Sequence, residues 1–163
     1  MPAALPLSHF LLALAVVAVW GTNFVVIKHA LADLPPLAFA TLRFAFVVFP
    51  AVFFLPRPKV PWRRLAAYGV LIGAGQFGLL YIAMNGLISP GLASLVVQVQ
   101  VFFTIGLAMA AAGEKVRPFQ VFALLLATAG VGVILAHTDG SATTPLGLLL
   151  VLLAALGWAG GNH

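Results

Sequence analysis

Four amides and one guanidinium sit inside stretches of this chain that are otherwise apolar: Asn23, Gln76, Gln98, Gln100 and Arg43. Buried in hydrocarbon, an amide needs a hydrogen-bond partner and a guanidinium needs an anion. Groups of these types at comparable depth can replace the hydration shell of a small zwitterionic solute, with Arg43 attracting its carboxylate. A blander reading stands beside each residue. Amides also bond from helix to helix, for about 0.6–2 kcal/mol per contact. Arg43 lies roughly 10 Å into its run, counting about 1.5 Å per residue from Pro36, so it either snorkels to the nearer headgroups or faces a cavity. Ser94 and Gln98 are four apart and share a helix face, whereas Gln100 is turned by roughly 200° from Gln98. Both glutamines therefore cannot point into one narrow space. Four amides on three runs favour a cavity over isolated helix contacts.

Other chemistries lack their residues. The chain has three acidic residues, Asp33, Glu114 and Asp139, all at run ends or in connections. No carboxylate lies within an apolar run, which leaves no support for proton coupling through one, for a paired-aspartate protease or for a carboxylate metal site. No Gly-x-Ser-x-Gly elbow occurs. His9, His29 and His137 lie at run edges and His163 at the chain end, where they read as interfacial polar groups. There is no cysteine, hence no disulfide or thiolate ligand within this chain. Neither an enzyme, nor a metal site, nor a cofactor is expected.

The elements that must position the polar residues are six apolar runs: Phe10–Ile27, Leu37–Leu55, Leu65–Ile88, Gly91–Ala112, Phe119–Ala136 and the shorter Leu146–Ala159. A bilayer-spanning helix needs about 20 mostly apolar residues, and the first five runs qualify. Of all 163 residues, 63% are hydrophobic and 7% charged, against about 25% charged in soluble domains. A lipid solvent leaves no partner for stray backbone groups, so the chain is read as an all-α polytopic transmembrane bundle. Residues 1–9 lack Lys and Arg, so the first run is read as a retained helix and not a signal peptide.

The net charge of +5 reads as topology control, not as a nucleic-acid face. Arg57, Lys59, Arg63 and Arg64 follow the second run, and Lys115 and Arg117 follow the fourth. On the opposite side only Lys28 stands near a run end. The bias predicts a cytoplasmic N-terminus. Pro35-Pro36 opens the second helix and Pro118 the fifth, where a missing N–H does no harm. Pro56, Pro58 and Pro61 keep a connection extended. Pro50 predicts a kink. Gly69-x-x-x-Gly73, Gly75 and Gly78 mark close helix approach.

The residues also resemble a family. Trp20-Gly21-Thr22-Asn23-Phe24, Pro35-Pro36 with Leu42-Arg43-Phe44, and Gly113-Glu114-Lys115 are similar to the EamA branch of the drug/metabolite transporter superfamily. Within that branch, Asn23 to Lys28, Arg57 to Pro61, Gly91 to Val96, Gln98-Val99-Gln100 with Phe102 to Ile105, and Trp158 to Asn162 resemble the bacterial exporters of O-acetylserine and cysteine. The resemblance implies ten helices in two inverted five-helix repeats. This chain would then hold repeat one (7–137), an external loop (138–145) and the start of repeat two with an incomplete sixth helix (146–163), as an N-terminal fragment. It implies export of small amino-acid-like metabolites by alternating access through the bacterial inner membrane, with the solute and the lipid bilayer as partners. Transport of other small solutes and a non-transporting membrane scaffold remain alternatives, and a complete 163-residue protein would require a homodimer. By the same resemblance, Asn23, Arg43, Gln76 and Gln98 are candidates for the solute path, with Trp20 and Tyr81 as aromatic walls. Glu114 is expected to fix the ends of helices four and five.

Overall fold

The computed structural model describes residues 6–56, 58–112, 118–136 and 143–162. Among them every regular element is helical and no strand occurs. Helix α1 covers Leu7–Asp33, α2 Pro36–Phe54 and α3 Trp62–Met84. Helix α4 runs through Pro90–Val96, Val97–Val99 and Gln100–Ala112. Helix α5 covers Pro118–Ala136 and α6 Pro145–Gly161. Among the described residues, α1 to α4 are each long and apolar enough to cross a membrane, while α6 is apolar over 17 residues. The Gly113–Glu114–Lys115 motif, Arg57 and Asp139 lie outside the described residues, as does the role expected for Glu114.

Pro36 and Pro118 open their helices as expected, and Pro90 and Pro145 also stand in first turns, so Pro145 belongs to α6 and not to the preceding connection. Two caps add to this. Ser89 Oγ accepts from Leu92 N at 3.3 Å, and Thr144 Oγ1 accepts from Gly147 N at 3.0 Å. The turn between α3 and α4 needs a left-handed residue, which Gly86 supplies at φ +91°.

Two helices depart from plain α geometry. The middle of α3, Gly69–Gly78, is a π-helix, and α4 tightens to a 3₁₀ turn at Val97–Val99. The π segment carries the glycine stripe, and α6 lies antiparallel against it. A Cβ on Gly157 would come within 2.9 Å of the Leu71 carbonyl oxygen and 3.0 Å of the Gly75 carbonyl carbon. Backbone thus meets backbone at this crossing, the arrangement small residues permit in membranes. At the other end of α6, a Cβ on Gly147 would lie 2.8 Å from the Leu87 carbonyl carbon, and Thr144 N donates to Leu87 O at 2.8 Å. The sixth helix is therefore fastened along α3 from the Gly86 turn to the π segment.

The core occupies one end of the bundle. Ile27 and Leu31 of α1, Ala40 of α2, Leu80, Tyr81, Ala83 and Met84 of α3, Leu92, Ala93, Val96 and Val97 of α4 and Val151, Ala154 and Ala155 of α6 are among its buried members. Towards the other end, the first half of α1, the second half of α2 and the first turns of α3 present their side chains outward.

Candidate solute cavity

Between the tight core and the splayed end lies a cavity of about 320 Å³, near the lower limit of about 300 Å³ for small-molecule sites. Its floor is the edge of the core, Leu80 and Val97, both buried. Of its lining residues, Val19, Trp20, Tyr68 and Asn162 are exposed.

Arg43 enters from α2, and α3 orients it. Its guanidinium donates a hydrogen bond to the Tyr81 hydroxyl and lies over the Phe77 ring, 4.8 Å from the centroid. Phe77 and Tyr81 are one turn apart and their rings pack at 5.8 Å. Phe44 meets the Phe77 edge at 5.4 Å and Phe39 meets Tyr81 at 5.0 Å. The guanidinium thus sits over a ring and is pinned by a phenol, which restricts the directions of its remaining N–H groups. Among the described residues it has no carboxylate partner.

Gln76 is the buried polar residue of the cavity, only 5% exposed. Its amide has no hydrogen-bond partner among the described residues. Asn23 faces the same space from α1, half-buried. Trp20 closes one side with Trp158 of α6, ring centroids 5.9 Å apart and planes tilted by 54°. Asn162 caps α6, its backbone N and its Nδ2 each donating to the Trp158 carbonyl at 3.1 Å.

Of the candidates from sequence, the structure brings Trp20, Asn23, Arg43 and Gln76 to one cavity. Tyr81 is fully buried behind Arg43 and reaches the cavity through that residue. Gln98 lies outside the lining and is exposed, whereas its neighbour Val97 is buried and lines the floor. Gln98 is the middle residue of the 3₁₀ turn, where each residue advances by about 120° instead of about 100°. Thr22 and Thr104 bond back to carbonyls one turn earlier, Ala18 at 2.8 Å and Gln100 at 2.8 Å, and so satisfy themselves within their helices. Sequence reasoning passed over Phe77, although its spacing of four from Tyr81 places both on one helix face. It also passed over Trp158 and Asn162 as wall residues, since nothing local shows that the sixth helix returns to α3. Among the described residues, no three His, Cys, Asp or Glu side chains converge as a metal site would require.

Comparison with known proteins agrees with this architecture. The EamA-like transporter family matches residues 7–136. A probable amino-acid metabolite efflux pump of Escherichia coli K12 is 49% identical over 152 residues, covering 93% of this chain and 51% of that protein. Its counterpart in Salmonella typhimurium is 47% identical over the same length and shares of both chains. The uncharacterized inner membrane transporter YedA of Escherichia coli K12 is 29% identical over 165 residues, 97% of this chain and 52% of YedA. The chain spans about half the length of the curated relatives it matches. No solved structure matches significantly. The family match covers more than half of the chain and falls on α1 to α4, which carry the cavity lining apart from Trp158 and Asn162, so the chain belongs to the EamA-like transporters, a family of membrane carriers and not of enzymes.

Proposed function

We propose that the protein carrying this chain exports small amino-acid-like metabolites, of the O-acetylserine and cysteine type, across the bacterial inner membrane by alternating access. The observation that carries this reading is the convergence of Arg43 and Gln76, from different helices, on one cavity of small-molecule size. A carboxylate would take the free N–H groups of Arg43, and the Gln76 and Asn23 amides would meet the polar groups beside it. Export requires the site to open first towards the cytoplasm. The exposed lining residue Tyr68 follows Arg63 and Arg64 on α3, at the end that the charge bias assigns to the cytoplasm together with the N-terminus. The relatives named as amino-acid metabolite efflux pumps support the solute class.

The test is efflux of labelled cysteine and O-acetylserine from loaded cells producing the protein, compared with its Gln76→Leu form at matched membrane levels. Removing the amide is expected to slow efflux about fivefold to tenfold, the scale of one polar contact of roughly 1–1.4 kcal/mol. Equal efflux at equal membrane level would remove the cavity from the path.

A further inference from the structure

We infer that the ammonium group of the exported solute is held by the paired rings of Trp20 and Trp158 together with the Asn23 carbonyl, while Arg43 takes its carboxylate. The inference rests on the transport reading above and deepens it. The site recognises a free α-amino group, which cysteine and O-acetylserine both carry.

The indole pair supplies the argument. Trp20 of α1 and Trp158 of α6 line the same cavity as Arg43 and Gln76. Their ring centroids are 5.9 Å apart and their planes are inclined by 54°. Indole presents the strongest π face of the aromatic side chains, and a cation within about 6 Å of a ring centroid is drawn to it. Two indoles this close put one small cation within reach of both. The same interaction is already made in this cavity, where Arg43 lies over Phe77 at 4.8 Å. The protein's own cation takes the Phe77 ring, and the indoles are placed for a cation that arrives with the solute.

The same face of α1 adds an acceptor. Asn23 follows Trp20 by three positions, so the two are neighbours on the helix surface. Asn23 is half-buried and belongs to the lining. Its carbonyl can accept one of the three ammonium N–H donors while the π faces meet the positive charge. Arg43 comes from α2, so the two ends of a zwitterion are met by different helices. A wall that were merely apolar would act in the opposite sense. Hydrocarbon beside a bare ammonium is costly, and such a wall would favour a solute whose amine is blocked. The two kinds of wall therefore predict opposite preferences.

The experiment uses the protein carrying this chain, reconstituted in liposomes, with counterflow measured at neutral pH under reducing conditions. The probes are cysteine and N-acetylcysteine, which share thiol and carboxylate and differ at the amine. N-acetylcysteine is read both as a substrate and as a competitor of cysteine. Cysteine is expected to half-saturate at a concentration about tenfold lower. Trp20→Leu should raise the half-saturation for cysteine about tenfold and leave that of N-acetylcysteine within about twofold. Trp158→Phe keeps a ring with a weaker π face and should act with the same selectivity, at about threefold. It serves as the reading if Trp20→Leu fails to reach the membrane. Equal handling of the two probes, a tryptophan variant without effect on cysteine, or a loss shared by both probes overturns the ammonium assignment and leaves transport standing. Counterflow of neither cysteine nor O-acetylserine by the parent protein overturns the transport reading beneath it.

Discussion

Arg43 and Tyr81 stand 38 positions apart and are joined by a hydrogen bond from guanidinium to phenol. The contact ties α2 to α3 and sets the direction of a charge half-buried in an apolar bundle. Tyr81→Phe keeps the ring and its packing against Phe39 and Phe77 but removes the acceptor. Bonds to charged groups contribute about 1.5–3 kcal/mol, and the guanidinium keeps its contact with Phe77. We expect apparent affinity for the exported solute to fall about tenfold, with the membrane level and maximal rate little changed. Concentration dependence of counterflow checks this. Arg43→Lys should be worse than Tyr81→Phe, because an ammonium cannot lie flat on Phe77 while bonding Tyr81.

Gln76 and Gln98 provide a matched comparison of one side-chain type at two placements. Gln76 is buried in the cavity and Gln98 is exposed beside its floor. Gln76→Leu is expected to reduce efflux at least threefold more than Gln98→Leu at equal membrane level. Parallel efflux assays of the two variants decide it.

The α3–α6 crossing depends on Gly157. A leucine there must displace backbone, since the Leu71 carbonyl oxygen and the Gly75 carbonyl carbon stand 2.9 and 3.0 Å from the new Cβ. Overpacking of this kind costs about 1–3 kcal/mol or more. Gly157→Leu should lower thermal stability in detergent by several degrees or abolish membrane accumulation. Gly106→Ala, where nothing lies within 4 Å of the added Cβ, should be neutral or mildly stabilising, consistent with the better helix propensity of alanine. Thermal melts of both proteins test the contrast.

Thr144 holds the start of α6 twice, capping Gly147 N and bonding Leu87 O at 3.2 Å through its hydroxyl. Thr144→Val removes both with little change of shape. A cap is worth about 1 kcal/mol, so a fall of a few degrees in melting temperature is expected, alongside faster proteolysis at the Gly86 turn.

Trp20 and Trp158 form one cavity wall, and the third tryptophan, Trp62, is exposed near the basic connection. In this chain, Trp62→Phe leaves the tryptophan emission to that wall. Adding O-acetylserine or cysteine should change its intensity or wavelength saturably, and Arg43→Gln should weaken the response at least tenfold in concentration.

The membrane bundle, the helix starts and most of the polar lining were legible in the sequence, because each depends on local signals. Proline at first turns, apolar runs of spanning length and polar side chains within them need no knowledge of distant contacts. What escaped depends on long-range packing. The π segment at Gly69–Gly78 matches the close approach of Gly157, and α6 returns to α3 through the Thr144–Leu87 contact, 57 positions apart. Neither partner reveals the other. The 3₁₀ turn at Val97–Val99 was hidden in a run of ordinary apolar composition, and no local signal shows that Val97, not Gln98, lines the cavity.

The concentration of tight packing at one end gives the helices leverage. On α2 the buried core member is Ala40, and the helix runs on to Phe54 with its side chains turned outward. A tilt of about 10° pivoting near Ala40 would carry a helix tip roughly 20 Å away through about 3.5 Å. A rotation too small to disturb the interlocked side chains therefore shifts the outward end of α2 by about the width of a water molecule.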